Sequence, residues 1–518
     1  MITELVCIDH LRPWVTIGVL PDNVLLDIFD FYLDQVGHVD AWHTLVHVCR
    51  QWREVVFASP RRLDLQLLCT TKRPVITTLD VWPALPIVID SVATGIQPQG
   101  VGNIIDALKQ HDRVSKINIQ YIPNSLFSIF AVMKKPFLSL TELKMSSGYG
   151  AVPIVPDSFL GGSTPQLRTL GLDGIPFPGL GKLLLSTSNL VDLDLRRIPH
   201  SGYVSPQAIV ACLESSMRLK KLALEFQSPQ SRADRASWDP PLLTRIVLPA
   251  LTRLVFRGDS QYLETIVSRI DAPLLDCLGI KFFNQPTLDT PRLRHMIGRT
   301  GAFTAFHRAN VDFYPSSVNV TLFQQKGMLD SESLKLGISC KTSDRQLSAA
   351  AQLCNSSIPP FPTLEQLTIN GDGDWLWQDD IGAPQWLELL QPFTRVKDLV
   401  LSERLVRFVA PALQELAGER VTEILPVLQN LFLEGLQPSG AVKEAIEKFI
   451  AARQLSSYPV TVSVVEGPGL GLMTDFGFDV NDMFGNTSGD SSFDADILGG
   501  MNLFFDPAAV HDSSSFIF

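Results

Sequence analysis

A short apolar pattern that recurs along most of the chain constrains its fold more than any other feature. The pattern is apolar-x-x-apolar-x-apolar, as in Leu167, Leu170 and Leu172. The central apolar residues of ten copies lie at positions 117, 143, 170, 193, 222, 254, 278, 367, 399 and 431. Neighbouring copies are 23 to 32 residues apart, except for one gap of 89 residues. A period in this range is typical of a solenoid, in which each unit supplies one strand and one return segment.

The gap between positions 278 and 367 is about three periods long. Two stretches inside it, residues 311–313 and 334–338, have the spacing of degenerate units, which predicts a continuous array. Helical periodicity marks the return segments at residues 206–215, 261–270, 383–390 and 441–455, and residues 460–465 predict a closing strand. The predicted solenoid therefore spans residues 65–465.

The spacing of these apolar positions resembles that of leucine-rich repeats. The Asn or Cys that this family places after the third apolar position is mostly absent, since Leu172 is followed by Asp-Gly-Ile and Leu195 by Arg-Arg-Ile. The resemblance implies an α/β fold with strands on a concave surface, helices on a convex surface and an irregular coil.

A second organised stretch, residues 20–63, precedes the repeats. Its apolar residues follow helical spacing in two or three short segments, around Leu25, Trp42 and Trp52. A module of about forty residues buries too little apolar surface to be stable alone. We therefore expect a partner, usually another chain, to complete it.

The order of residues in this stretch resembles an F-box. The matching residues are Leu20-Pro21, Leu25-Leu26, Ile28-Phe29, Leu45, Val48-Cys49-Arg50, Trp52-Arg53 and Ser59-Pro60. The link from Tyr32 to Trp42 departs from the family, whose link is shorter and more regular.

The resemblance implies a small all-α F-box at residues 18–64, after a lead-in at 1–17. It also implies docking onto a Skp-family adaptor and, through it, a cullin-based ubiquitin ligase. The implied adaptor-binding positions are Leu20, Pro21, Leu25, Ile28, Leu45, Val48, Cys49 and Trp52. The alternative is that they only form the core of a helical cap.

Cysteine usage and hydropathy predict the cellular setting. The seven Cys, at positions 7, 49, 69, 212, 277, 340 and 354, occur singly, which argues against a zinc site or a disulfide framework. The first residues lack a basic-then-apolar run, and no uncharged apolar run reaches about eighteen residues, so neither a signal peptide nor a membrane span is predicted. We expect a cytoplasmic or nuclear protein.

The net charge of −11 is unevenly distributed. No Lys or Arg follows Arg453, whereas nine acidic residues lie from Glu466 onward. The chain before Glu466 has 43 basic and 45 acidic residues, which gives it a net charge of −2. Nothing resembles the basic face that nucleic-acid binding needs.

The tail, residues 466–518, also has eight Phe among acids, Gly and Ser, and we predict that it is disordered. It is either a plain extension or a segment that docks into a basic-rimmed apolar groove.

Three short motifs have part of the residue pattern of a metal-binding or phosphate-binding site. His43 and His47 are four residues apart without a further ligand, so packing or adaptor contact is favoured over a metal site. Residues 174–182 lack the Gly and the Ser or Thr that a phosphate-binding loop needs. The acidic stretch at 370–380 is too irregular for a calcium loop and predicts a solvated loop, with a recognition loop as the alternative. No catalytic residue, metal or cofactor is predicted, because no nucleophile comes with a recognisable base.

Because strand side chains alternate, the residues between the apolar positions point to the predicted concave surface. There, acidic residues precede basic ones, which predicts either a polarised partner site or a plain solvated surface. The predicted substrate-binding residues are Asp192, Asp194, Arg196, Lys221, Arg253, Arg257, Lys281 and Phe432.

The chain is thus predicted to be a non-catalytic substrate receptor of a Skp–cullin–F-box ubiquitin ligase. The alternative is a scaffold whose F-box and repeats mediate interactions without degradation.

Overall fold

The computed structural model describes residues 20–79, 82–91, 100–120, 125–147, 152–229, 245–285, 288–326, 329–340, 343–359, 362–371, 382–416, 418–435 and 439–465. The predicted lead-in at 1–17, residues 372–380 of the acidic stretch and the predicted disordered tail lie outside the described residues. Among the described helices, none combines the length and the apolar character that crossing a membrane requires.

Helices and strands alternate along the chain. The helices are α1 (Asp22–Val36), α2 (Trp42–Val46), α3 (Arg50–Ala58), α4 (Ile76–Leu79), α5 (Val101–Leu108), α6 (Leu126–Val132), α7 (Leu180–Leu185), α8 (Pro206–Leu213), α9 (Ser260–Val267), α10 (Pro291–Arg299), α11 (Ser343–Ser357), α12 (Ala383–Leu390), α13 (Glu403–Gln414) and α14 (Gly440–Leu455). The strands are β1 (Leu67–Cys69), β2 (Ile87–Asp90), β3 (Val114–Gln120), β4 (Glu142–Ser146), β5 (Thr169–Asp173), β6 (Asp192–Ile198), β7 (Lys221–Phe226), β8 (Ile246–Val247), β9 (Arg253–Gly258), β10 (Ile270–Asp271), β11 (Cys277–Phe282), β12 (Phe306–Tyr314), β13 (Ser317–Lys326), β14 (Leu329–Ser339), β15 (Gln366–Gly371), β16 (Asp398–Leu401), β17 (Asn430–Glu434) and β18 (Thr461–Val465). The predicted helical segments between repeat strands correspond to α8, α9, α12 and α14, which confirms them, and β18 confirms the closing strand.

One long sheet organises the described residues. Its strand order is β1-β2-β3-β4-β5-β6-β7-β9-β11-β14-β13-β12-β15-β16-β17-β18, while β8 and β10 pair separately. From β3 to β11 the neighbours are parallel, and the central apolar residues of the repeats stand directly opposite one another. This apolar row is Ile117, Leu143, Leu170, Leu193, Leu222, Leu254 and Leu278. The register confirms that the repeats predicted from the sequence are equivalent units.

The sheet continues across the gap between the seventh and eighth copies, but not by simple repetition. Strands β12, β13 and β14 form an antiparallel meander whose order is reversed, so that β14 pairs with β11 and β12 pairs with β15. Only two residues separate β12 from β13, and two separate β13 from β14. Links this short permit a hairpin and not a parallel crossover. The sheet is therefore continuous, as expected, and both predicted stretches lie in strands, but these strands belong to an antiparallel meander and not to parallel repeats.

The apolar row nevertheless passes through the meander without a break. Leu278 stands opposite Leu334, which stands opposite Leu322, and the row then runs through Ala309 to Leu367. All five of these residues are buried. The meander therefore keeps the apolar side of the sheet against the helices, and the opposite side, here called the polar face, remains continuous.

The predicted N-terminal helices are present as α1, α2 and α3. Helix α1 continues past Tyr32 and ends at Gly37, whose φ of 65° lies in the left-handed region that glycine tolerates. The indole Nε1 of Trp42 donates a hydrogen bond to the backbone oxygen of Gln66, just before β1, over 2.9 Å. This bond and the burial of Trp42 attach the helical module to the first repeat.

Candidate protein-interaction surfaces

Helix α1 presents an uncovered apolar flank. Pro21, Val24, Ile28 and Phe31 are three or four residues apart, which places them on one side of the helix. All four are exposed; Ile28 is 40% and Phe31 is 68% exposed. We call these four residues the α1 strip. Exposed large apolar side chains that share a helix flank are typical of surfaces that contact other proteins, which makes the α1 strip a candidate interaction surface.

The structure divides the predicted adaptor-binding residues into two groups. Pro21, Ile28, Val48 and Cys49 are exposed, and Leu20 is half-buried. The accessible members of the predicted set therefore lie on α1, just before it, and in the turn between α2 and α3.

Leu25, Leu45 and Trp52 are placed differently from that expectation. Leu25 is fully buried and Leu45 is 4% exposed, so both side chains belong to the core of this chain. Trp52 is half-buried against Phe29, with 4.7 Å between ring centroids. Leu25 is buried because it lies four residues before Phe29 on the flank that faces α3. In the free chain, Leu25 and Leu45 therefore match the alternative prediction for these positions, the core of a helical cap.

Sequence reasoning missed Val24 and Phe31. Neither belongs to the motif residues that carry the F-box resemblance, but both lie three or four residues from Ile28. Extending the helical spacing from Ile28 in both directions would have found them.

Two histidines of the module, His43 and His47, pack against an aromatic ring. His43 lies 5.6 Å and His47 6.1 Å from the ring centroid of Trp82. Burial lowers the pKa of His43, which favours its neutral form. The described residues contain no group of three or more potential metal ligands.

Seven of the eight predicted substrate-binding residues come together on the polar face. They lie on β6, β7, β9 and β11, which are consecutive in the sheet. The eighth, Phe432, lies on β17, six strand positions beyond β11. At about 4.8 Å per strand this separation is roughly 29 Å along the sheet, so Phe432 belongs to a different part of the face.

Five cations form what we call the basic cluster. Its first row pairs Lys221 with Arg253, and its second row pairs Arg257 with Lys281, each directly across neighbouring strands. Lys335 on β14 stands opposite Gly279, next to the second row. The sequence analysis missed Lys335 because the reversed meander brings β14, instead of β12, alongside β11.

The cations of the cluster are close enough to affect one another. The pKa of Lys281 is lowered to about 8, mainly by burial and also by the charges of Arg257 and Lys335, whereas Glu225 opposes the shift. Arg257 also lies over the ring of Phe283, with its guanidinium carbon 5.8 Å from the centroid. An anion placed here would offset the repulsion between these cations.

The acidic residues beside the cluster are largely neutralised within the chain. Arg196 Nε lies 2.9 Å from Asp194 Oδ1 and 3.7 Å from Glu225 Oε1. Asp192 stands directly opposite Lys221 on the next strand. The predicted separation into an acidic and a basic half is thus weaker than expected, because Arg196 and Lys221 lie among the acids.

Comparison with known proteins adds little to this description. No family model matches the chain, and no curated protein matches it. One similar solved structure is the leucine-rich repeat-containing protein LegL7 from Legionella pneumophila, at 12% identity, covering 64% of this chain and 97% of that chain, with a TM-score of 0.28. The repeat architecture therefore rests on the strand register.

Glu225 makes the stability of the polar face depend on pH. The carboxyl is 6% exposed, and burial raises its pKa to about 7. Because this value lies above the ordinary 4.5, the protonated acid stabilises the fold below about pH 4.5, and that contribution is lost as the pH rises through about 7.

We expect Glu225→Gln to raise the free energy of unfolding by roughly 2 to 3 kcal/mol at about pH 8, with little change near pH 4.5. Denaturant unfolding of both proteins across this range measures the difference. Glu365→Gln is the control, because the Glu365 side chain is 56% exposed. Parallel stability curves for parent and Glu225→Gln would contradict the expectation.

Proposed function

We propose that the chain is a non-catalytic substrate receptor of a Skp–cullin–F-box ubiquitin ligase. In this proposal α1 to α3 dock onto a Skp-family adaptor, and the polar face of the sheet binds a protein that enzymes elsewhere in the complex modify. The chain contributes proximity and not chemistry. The cytoplasm or the nucleus is the compartment in which such a complex would act.

The α1 strip is the observation that carries the adaptor part of the proposal. Its apolar side chains belong to the module that Trp42 joins to Gln66, just before the first strand of the sheet, whereas the basic cluster lies on β7 to β14. Two separated surfaces allow one chain to hold an adaptor and another protein at the same time. The order of residues around the strip also resembles an F-box, as described above.

The partner-binding part is supported by the continuity of the polar face. Parallel repeats and the meander together present one row of side chains after another along sixteen strands. An extended surface of this kind suits recognition of a protein, because repeat folds use such surfaces for binding.

Co-purification tests the proposal directly. Full-length chain expressed in cells should recover a Skp-family adaptor together with a cullin, and inhibiting ubiquitination should increase the abundance of other recovered proteins. Recovery of the adaptor with no such increase would indicate the scaffold alternative. Absence of the adaptor would reject the proposed function.

A further inference from the structure

We propose that the basic cluster binds an extended acidic segment of the partner protein, which crosses β7, β9, β11 and β14 with acidic side chains on both of its sides. This inference rests on the proposed function, since it names the chemistry of the protein held on the polar face. It adds Lys335 and a required spacing of charges to the site.

The cluster has the form of two rows of cations with a gap between them. Arg253 and Arg257 lie on the same strand and the same face, four residues apart, which separates the rows by roughly 13 Å. Lys221 extends the first row and Lys281 extends the second. A ligand that satisfies both rows must therefore place negative charge on both of its sides.

Small side chains form the floor between the rows. Ala223, Val255 and Gly279 stand directly opposite one another on β7, β9 and β11. Lys335 stands opposite Gly279 and closes this floor on the β14 side. Ala223 and Val255 are only 9% and 5% exposed, so the longer basic side chains must move apart for a peptide backbone to approach this floor.

An extended segment matches this arrangement better than a helix or a compact loop. Side chains of an extended chain point alternately to two sides, and those on one side repeat about every 6.6 Å. A segment lying along the floor would direct alternate side chains to Lys221 and Arg253 and the others to Arg257 and Lys281. Carboxylates at both sets of positions would form charge-assisted hydrogen bonds with these donors.

Two ionisable groups give the proposed site a pH dependence. Glu225 faces Arg196 and Arg257 as well as Asp194 and Asp173, and its pKa is raised to about 7, mainly by burial. Lys281 faces Arg257, Lys335 and Glu225, and its pKa is lowered to about 8, mainly by burial. As the pH rises from about 6 to 9, Glu225 gains negative charge and Lys281 loses positive charge. Affinity for an acidic segment should therefore fall over this interval.

The probe is a synthetic peptide of about twelve residues in which pairs of Glu alternate with pairs of Ser, so that an extended chain presents Glu side chains on both of its sides. Its matched control has the same composition, but Glu and Ser alternate singly, so that all Glu side chains lie on one side. Fluorescence anisotropy with the full-length chain should show at least about tenfold tighter binding of the paired-Glu peptide, and weaker binding as salt increases.

Variants then assign the binding to the cluster. Arg253→Gln combined with Arg257→Gln should weaken binding of the paired-Glu peptide at least about tenfold. The control variant Lys443→Gln with Lys448→Gln removes two exposed cations from α14, 61% and 54% exposed, and should bind like the parent. Equal unfolding midpoints for both variants would show that neither result reflects misfolding.

The outcomes separate this inference from the proposed function. Equal affinity for the two peptides, or equal weakening by both variants, would overturn the acidic-segment site. Failure of the chain to bind either peptide would overturn it as well. In each case adaptor and cullin co-purification is a separate measurement, so the receptor proposal stands or falls on its own result.

Discussion

Replacing both Ile28 and Val48 by Asp should abolish binding of a Skp-family adaptor while leaving the fold of the chain intact. Ile28 is 40% and Val48 is 54% exposed, so a carboxylate at either position remains in water in the free protein. In a complex both charges would be buried against an apolar partner. Truncating a well-packed apolar anchor commonly costs about 2 to 4 kcal/mol, and burying an unpaired charge costs more. We therefore expect a loss of adaptor affinity of at least about a hundredfold.

Calorimetric titration of purified adaptor into the full-length chain measures this loss, and thermal unfolding checks the fold. Ile76→Asp is the matched control, because Ile76 is 45% exposed but lies on α4, outside the module of α1 to α3. Unchanged affinity for the double variant would remove the α1 strip and the α2–α3 turn from consideration as the adaptor site.

Leu25→Ala should destabilise the chain by roughly 2 to 5 kcal/mol, the range observed when a buried Leu is truncated. Leu25 is fully buried beside Phe29, whose ring packs on Trp52, so the deletion leaves a cavity in the core of the helical module. Adaptor affinity should fall only to the extent that the module unfolds.

Denaturant unfolding followed by Trp fluorescence reports this change, since Trp42 and Trp52 both lie in the module. Ile28→Ala is the control, because its side chain is exposed and its truncation should alter stability by less than about 0.5 kcal/mol. If Leu25→Ala lost adaptor binding with full stability retained, Leu25 would have to contact the adaptor directly.

These two predictions separate residues that the motif groups together. The F-box resemblance names Leu25 and Ile28 in the same way, although they are only three residues apart and lie on different flanks of α1. Their exposures show that one forms the core and the other forms the surface. A motif identifies positions that matter, but burial decides whether each position acts through stability or through contact.

The sequence by itself determined the repeating strands and most helices. The apolar pattern predicts the strands because only one side of each strand faces the core, and that requirement repeats with every unit. Leu170, Leu193 and Leu222 therefore align in register as expected. The helical module at residues 22–58 and the last helix and strand could also be predicted from the sequence, since their periodicity is local.

Only the tertiary structure decided the order of strands in the middle of the sheet. Residues 311–313 and 334–338 are strand-like in isolation, but their pattern does not show whether β12 or β14 pairs with β11. The two-residue links require hairpins, and the pairing of β14 with β11 then reverses the order. That reversal is why Lys335 joins Lys281 in one cluster.

The tertiary structure also decided which polar residues share a site. Phe432 and Arg257 lie on the same face of the sheet, yet β17 is seven strand positions from β9. Glu225 resembles any other charged residue between apolar positions, but neighbouring side chains bury it and raise its pKa to about 7. Sequence spacing determines the side of the sheet on which a residue lies, because alternation is local. Proximity and burial depend on neighbouring strands that can be distant in sequence, so they emerge only when the chain is folded.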